Sequence, residues 1–321
     1  MVISDKDAFR YVSRFVLVGV PILASFFSVW SWIIECIILL TFFVQTRNSG
    51  FRQTAILLGI GYVLSLIPVI PSVSIGVDSL VQIGFTPLAG LLLVLLKEKG
   101  LSTSHSIFWG LIMAMLLSAI PALPATIAAL QPDMLDNAIT GTLQLYKDQG
   151  LTQALAAQGM TEQQLETMLR MIIPMVFQLM PAFLAIVGML EFGLIYIVFR
   201  FFIDKIKPKP MAYWKLPWYA VWLAIIGLSS YLGGDYLANT VLKIIGMNVM
   251  AVAAALSFVM GLVCLAYVIK KYRLSPWLVA ILVIIALIMS PFILMTIVFI
   301  GLFDIAFNNR KVPEKTEGDK K

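Results

Sequence analysis

The sequence DKIKPKPMAYWKLPWYAVW, residues 204–222, decides the architecture of this chain. It begins as a basic stretch and continues directly into aromatic and apolar residues, and long hydrophobic segments lie on both sides of it. Short loops rich in Lys and Arg are typical of the cytoplasmic side of membrane proteins. The stretch therefore predicts a cytoplasmic loop between membrane-spanning helices, and every other segment can be oriented from it.

The composition predicts a surface that faces lipid. Of the 321 residues, 60% are hydrophobic and 12% are charged, and the mean hydropathy is +0.96. A soluble domain has about 25% charged residues, so this chain has too few polar side chains to cover a soluble globule. The net charge of +6 comes from short loops between apolar segments. This distribution indicates contact with membrane lipids and excludes nucleic acid as a partner.

The order of the segments predicts an all-α fold, a polytopic transmembrane helical bundle with both termini in the cytoplasm. Residues 1–310 form a single transmembrane domain with about eight to ten membrane segments, and residues 311–321 form a disordered charged tail. Each loop expected inside is net positive, and each loop expected outside is acidic or neutral. We therefore expect a multi-pass protein of the bacterial cytoplasmic (inner) membrane.

Two apolar stretches, residues 15–45 and 276–307, leave the segment count open. Each is too long for one upright helix and short for two. Arg14 and Arg47 flank the first stretch, and a hairpin would place both on the same side of the membrane. We favour a hairpin for both stretches; the alternative is a single helix that is tilted or kinked.

Residues 131–170 form the only long polar segment, with five acidic and two basic residues, which suits the outer face. Apolar residues recur at helical spacing and predict an amphipathic helix over residues 133–147, ended by Gly150. Thr161 and Gln164 then form a capping-box pattern that begins a second helix leading into the membrane. We expect this extracytoplasmic insert to lie on the outer leaflet or to cover a cavity as a lid.

Two other segments have testable patterns. Small residues four positions apart, Ser118 and Ala122, predict a face of the span at residues 104–130 that packs closely on another helix; a plain kinked span is the alternative. Residues 236–246 are mildly amphipathic, and we expect them to lie at the outer interface.

Ionisable groups inside the membrane are the candidates for a functional site, because each costs energy to insert. Glu191 lies nine residues before Arg200, about 14 Å along a helix and near the middle of the membrane. Glu35 lies twelve residues before Arg47, about 18 Å along a helix. We predict that both bind a ligand that is cationic or donates hydrogen bonds, or a proton. The alternative is a protonated acid bonded to a neighbouring helix.

Asp304 lies closer to the end of its segment, six residues before Arg310. For Asp304 and Arg310 we favour a structural role or a contact with a partner. Asp304 would then lie at a helix end or pair with an arginine.

No residue pattern predicts an enzyme. The two cysteines, Cys36 and Cys264, lie in apolar runs and are expected to behave as small buried hydrophobes. With one histidine, His105, and no phosphate-binding loop, we predict no catalytic residues, no metal site and no cofactor. We read the N-terminal apolar run as a retained first helix and not as a cleaved signal peptide.

Two short stretches carry a family resemblance: Trp214-Lys215-Leu216-Pro217-Trp218, and Gly301-Leu302-Phe303-Asp304 followed by Asn308-Asn309-Arg310-Lys311. With the polar insert, they resemble the YybS-like family of bacterial predicted membrane proteins, a domain of unknown function. That family has been grouped with the substrate-binding S-components of energy-coupling-factor transporters. The resemblance implies a small-molecule ligand bound from outside, and other membrane or ATPase subunits as partners. The first helix lacks the Ala-x-x-x-Ala pattern that S-components use for docking.

The sequence leaves two functions open. The first is a small-molecule-binding or transport-associated membrane protein built around Glu35 and Glu191. The second is a membrane scaffold for cell-envelope or division machinery, which would use its outer helices and small-residue faces to dock partners.

Overall fold

The computed structural model describes residues 5–24, 31–66, 84–203, 211–288 and 290–312, which are helical almost throughout and contain no strand. The predictions for the basic loop at residues 204–210 and for the tail at residues 313–321 lie outside the described residues. The helices in chain order are α1 (Asp5–Ala24), α2 (Ser31–Ser49), α3 (Phe51–Leu66), α4 (Ala89–Glu98), α5 (Thr103–Ala119), α6 (Leu123–Ala128), α7 (Pro132–Asp148), α8 (Leu151–Ala157), α9 (Glu162–Val198), α10 (Val221–Tyr236), α11 (Thr240–Tyr272), α12 (Pro276–Ile288) and α13 (Ser290–Phe307).

Three stretches of the described chain are long and apolar enough to cross a membrane: Thr103–Ala128, Glu162–Ile203 and Thr240–Tyr272. The first joins α5 to α6 through a short 3₁₀ turn, the second is α9 with a π-helical end, and the third is α11. The chain is thus an all-α helical membrane protein, as its composition predicts.

The main core lies where α1, α2, α3, α4, α5 and α9 meet. Helix α1 packs against both α2 and α3, so residues 15–45 contain two packed helices, as the hairpin interpretation requires. Gly61 of α3 allows a close approach, because a Cβ atom there would lie 2.2 Å from the carbonyl oxygen of Leu17. The same core contains Phe42 and Phe192, which are fully buried.

The second packed unit is formed by α10, α11 and α13. Glycines make its contacts close: a Cβ atom on Gly246 would lie 2.3 Å from the backbone nitrogen of Tyr231, and one on Gly301 would lie 1.8 Å from the carbonyl oxygen of Ser257. Close backbone packing through small residues is the usual way in which helices associate in lipid.

Residues 236–246 contain the end of α10 and the first turns of α11, and their position at the outer interface stays a prediction. Helix α10 ends at Tyr236, and α11 begins at Thr240 and continues to Tyr272. The Asn239 side chain accepts a hydrogen bond from the N–H of Leu242 at 3.0 Å and caps the start of α11. The mildly amphipathic residues are mostly the first turns of this long helix.

Residues 276–307 contain two helices, α12 and α13. Helix α13 packs along α11, and α12 makes no extensive contact with another helix in the described part of the chain. Residue 289, between the two helices, lies outside the described residues, so the hairpin for this stretch stays a prediction.

The polar insert folds as its sequence predicts. Helix α7 covers the predicted amphipathic segment, Gly150 ends it with a positive φ of 71°, and Thr161 and Gln164 form the capping box of α9. Ile139, Leu165 and other apolar residues form a small separate core between α7 and α9. The insert packs on α9 at the end that begins at Glu162.

Basic residues of several helices converge at the opposite end of the bundle. Arg47 donates to the carbonyl oxygen of Ile203 at 2.6 Å, Lys97 donates to the hydroxyl of Tyr196 at 3.1 Å, and the ammonium group of Lys270 lies 4.6 Å from the ring centroid of Tyr213. We call this end of the bundle the basic end. The loops that the sequence predicts to be cytoplasmic thus lie together in space.

Candidate carboxylate site

Glu35 lies on the buried face of α2. It shares this face with Ile38, Leu39 and Phe42, which are spaced three, four and seven residues after it, and its side chain is only 9% exposed. Its Oε2 atom accepts a hydrogen bond from the backbone N–H of Thr86 at 3.2 Å. This N–H begins a 3₁₀ turn that leads into α4. The first N–H groups of a helix have no partner within it and favour an anion, so Glu35 stabilises the start of this helix.

The absence of a side chain at Gly84 leaves space for the Glu35 carboxylate. A Cβ atom on Gly84 would lie 1.7 Å from Glu35 Oε1, so no other residue fits there unless Glu35 moves. The hydroxyl of Tyr62 donates to the carbonyl oxygen of Gly84 at 2.7 Å, and the Tyr62 ring stacks on Phe85. The Glu35 carboxylate therefore packs against the backbone of Gly84, and the hydrogen bond from Tyr62 of α3 holds this backbone in place.

Glu191 of α9 approaches the same place from another helix. The rings of Phe43 on α2 and Phe192 on α9 pack edge to face with centroids 6.2 Å apart, which places α2 against α9 here. The Cys36 thiol, next to Glu35 on α2, lies near the Glu191 carboxyl group. The two glutamates also lie close enough for their charges to interact. Glu191 Oε1 is buried, and it has no hydrogen-bond partner among the described residues. Glu35 thus has a structural partner, while Glu191 retains an oxygen with free bonding capacity.

Two hydroxyl groups extend the site toward α5. Thr86 Oγ1 and Ser118 Oγ are 2.8 Å apart, within hydrogen-bond distance. Ser118 lies against Gly188 of α9, where an added Cβ atom would come within 1.9 Å of Ser118 Oγ. The predicted close-packing face of residues 104–130 is confirmed here, since Ser118 meets α9 and Ala122 is fully buried.

The charges of the Glu35 and Glu191 carboxylates interact with one another. In the part of the chain that the structure describes, no Lys or Arg side chain forms an ion pair with Glu35 or Glu191. Two carboxylates whose charges interact repel one another when both are charged. A proton or a bound positive group would remove this repulsion, so the arrangement suits a ligand that is positively charged or donates hydrogen bonds.

Asp304 and Arg310 form a second buried charged group, at the basic end. Arg310 donates from Nη2 and Nε to Asp304 Oδ2 at 2.7 and 3.0 Å, and the two residues are 8% and 4% exposed. The remaining donors of Arg310 bond to the carbonyl oxygens of Ala212 and Trp214, each at 2.7 Å. The pair therefore fastens the end of α13 to the segment that follows the basic loop.

This contact joins the two stretches that carry the family resemblance. Trp214 belongs to the first, and Asp304 and Arg310 belong to the second. A guanidinium group that donates four hydrogen bonds to three fixed groups is a stringent geometric requirement. It gives a physical reason for these residue types at these positions.

The model of the family described as Predicted membrane protein (DUF2232) matches residues 15–305. The chain belongs to the DUF2232 family. No curated protein and no solved structure matches the chain. Membership in DUF2232 agrees with the membrane class predicted from composition, and the function of this family is not known.

For this DUF2232 protein, the sequence nominates both carboxylates of the site but not their surroundings. Glu35 and Glu191 stand out because acidic residues are rare in apolar segments. Gly84, Thr86 and Tyr62 carry no signal of their own, because a glycine, a threonine and a tyrosine are ordinary in membrane helices and loops. Cys36 could have been found as the neighbour of Glu35, but its contact with Glu191 depends on the packing of α2 on α9.

Proposed function

We propose that this protein is a small-molecule-binding or transport-associated membrane protein whose site is the pair Glu35 and Glu191. The observation that carries the proposal is the buried Oε1 atom of Glu191, which has no partner among the described residues. Buried polar groups are nearly always hydrogen-bonded, and a carboxylate oxygen in a membrane interior is costly without a partner. A ligand with a positive charge or a hydrogen-bond donor would supply that partner.

The convergence of basic residues supports an orientation. The basic end faces the cytoplasm, because Lys and Arg concentrate on that side of membrane proteins. The acidic insert then lies outside, and the protein crosses the bacterial inner membrane several times. The insert packs on the outer end of α9, about 30 Å along the helix from Glu191. It therefore contacts the part of α9 near Glu162 and does not itself cover the carboxylates.

The proposed role is binding or transport and not catalysis. The site offers carboxylates, hydroxyls and one thiol, and it resembles a transporter substrate-binding component in placing polar groups between helices inside the membrane. The coupled movement of a solute would require other membrane or ATPase subunits as partners.

Native mass spectrometry of the protein extracted gently from its own membrane tests this proposal. The wild-type protein is expected to retain a small molecule, and Glu191→Gln is expected to lose it, since the amide has the same shape without the charge. Glu98→Gln is the matched control, because Glu98 is exposed at the end of α4. Equal retention by wild type and Glu191→Gln would refute the proposal. A wild-type protein that carries a protein partner and no small molecule would favour the scaffold function instead.

A further inference from the structure

Pro181 interrupts the hydrogen-bond ladder of α9. Proline has no N–H, so the carbonyl of Phe177, one turn before it, has no donor within the helix. The hydroxyl of Thr126, from α6, lies 2.9 Å from this carbonyl oxygen and 3.0 Å from the carbonyl oxygen of Ala122, so its one proton is shared between the two acceptors. Thr126 is 8% exposed, so a buried side chain of a neighbouring helix replaces the missing backbone bond.

The next pair of backbone groups is held by α11. In a regular helix the N–H of Ala182 bonds to the carbonyl of Gln178. Here Asn248 Nδ2 donates to the Gln178 carbonyl oxygen at 2.7 Å, and Asn248 Oδ1 accepts from the Ala182 N–H at 2.8 Å. One side chain of α11 therefore bonds to both groups at the proline turn.

The two parts of α9 on either side of this turn pack against different neighbours. The outer part packs through Leu165 and Leu169 on the insert, and Arg170 bonds Asp136 of α7 at 2.7 Å. The inner part packs on α5, where Gly188 lies against Ser118. The interrupted turn thus separates two packed units of the protein.

We propose that residues 177–182 are a hinge, about which the outer part of α9 and the insert move together as one arm. Asn248 and Thr126 are the clips that hold the arm in the observed position. Interrupted helices are tolerated in membranes where neighbours satisfy the freed backbone groups, and here those neighbours are side chains that can release the groups without unwinding another helix. The hinge goes beyond the proposed function, because it requires no ligand and does not include Glu191.

Double electron–electron resonance in lipid nanodiscs tests the hinge directly. A ketone-bearing amino acid replaces Gln144, which is exposed on the insert, and Tyr236, which is exposed at the end of α10. Spin labels react with the ketones, so both native cysteines stay unmodified. The labelled protein that retains Asn248 and Thr126 is expected to give one narrow distance distribution. Asn248→Leu, of similar shape but without the amide, is expected to broaden this distribution or add a second distance. Amide exchange at Ala182 reports the loss of the bond and is expected to become about tenfold faster.

A second pair of variants keeps the test decisive if Asn248→Leu does not fold. Thr126→Val preserves the shape of the side chain and removes the hydroxyl, whereas Thr126→Ser keeps the hydroxyl and is the matched control. Thr126→Val is expected to broaden the distance distribution and Thr126→Ser to leave it unchanged. An unchanged distance distribution in folded Thr126→Val would overturn the hinge. Faster exchange at Ala182 with an unchanged distance distribution in folded Asn248→Leu would overturn it as well, since the bond would be lost without movement of the arm.

Discussion

Replacing Arg310 with methionine should destabilise the protein more than most single changes. The substitution leaves the Asp304 carboxylate buried without its cation and removes the donors to Ala212 and Trp214. Removing one partner of a buried ion pair costs about 3–5 kcal/mol, and buried acceptors without donors cost about 1–3 kcal/mol more. We expect a total loss of about 4 kcal/mol or more in the free energy of unfolding.

Two further variants separate the charge from the geometry of this contact. Arg310→Lys keeps the charge but cannot bond Asp304 and both carbonyl oxygens at once, so an intermediate loss is expected. The double variant Asp304→Leu/Arg310→Met removes both charges, and buried ion pairs replaced by apolar residues of similar volume are often nearly neutral. The double variant should therefore be more stable than Arg310→Met alone.

Reversible unfolding in mixed detergent micelles, followed by circular dichroism at increasing mole fractions of sodium dodecyl sulfate, measures these differences. A loss below about 1 kcal/mol for Arg310→Met, the size expected of an exposed pair, would refute the reasoning. A double variant less stable than Arg310→Met would refute it as well, because the unpaired carboxylate would then not be the source of the cost.

Three other substitutions test the packing and the capping. Gly301→Val should cost about 1–3 kcal/mol by overpacking, since even a Cβ atom there meets α11 at 1.8 Å; Gly141→Ala, with open space around it, is the control and should be neutral or slightly stabilising in the same unfolding assay. Gly84→Ala should displace the Glu35 side chain and lower the thermal unfolding temperature, and an unchanged temperature would mean that the carboxylate is not packed against this backbone. Thr161→Ala should cost about 0.5–2 kcal/mol and speed amide exchange in the first turn of α9 only; equally slow exchange would show that the capping box contributes nothing.

The sequence predicts those parts of the fold that depend on local signals. Gly150 and Thr161 mark helix boundaries through backbone conformation and capping, and both lie where their chemistry places them. Segment length is a weaker signal. It does not show whether residues 276–307 reverse direction, because that depends on which helix finds a packing partner. The break after Tyr236 is only a few residues long, and most of the amphipathic residues that follow it are the first turns of α11.

The candidate site was predictable in its charges and not in its contacts. Glu35 and Glu191 are visible because carboxylates are rare in apolar segments, but their meeting depends on how α2 packs against α9. Asn248 and Thr126 gave no signal, because an amide or a hydroxyl in a membrane helix has many possible partners. Only the position of Pro181, one turn after a carbonyl that needs a donor, could have suggested that a neighbouring side chain lies there.

Cryogenic electron microscopy of the protein in nanodiscs formed with its native lipids tests whether Glu35 and Glu191 bind a ligand. We expect the carboxylates of Glu35 and Glu191 to face one another, with non-protein density within hydrogen-bond distance of Glu191 Oε1, and we expect Glu191→Gln to lack this density. A Glu191 side chain that points into lipid, away from Glu35, would refute the ligand site, as would a density that remains unchanged in Glu191→Gln.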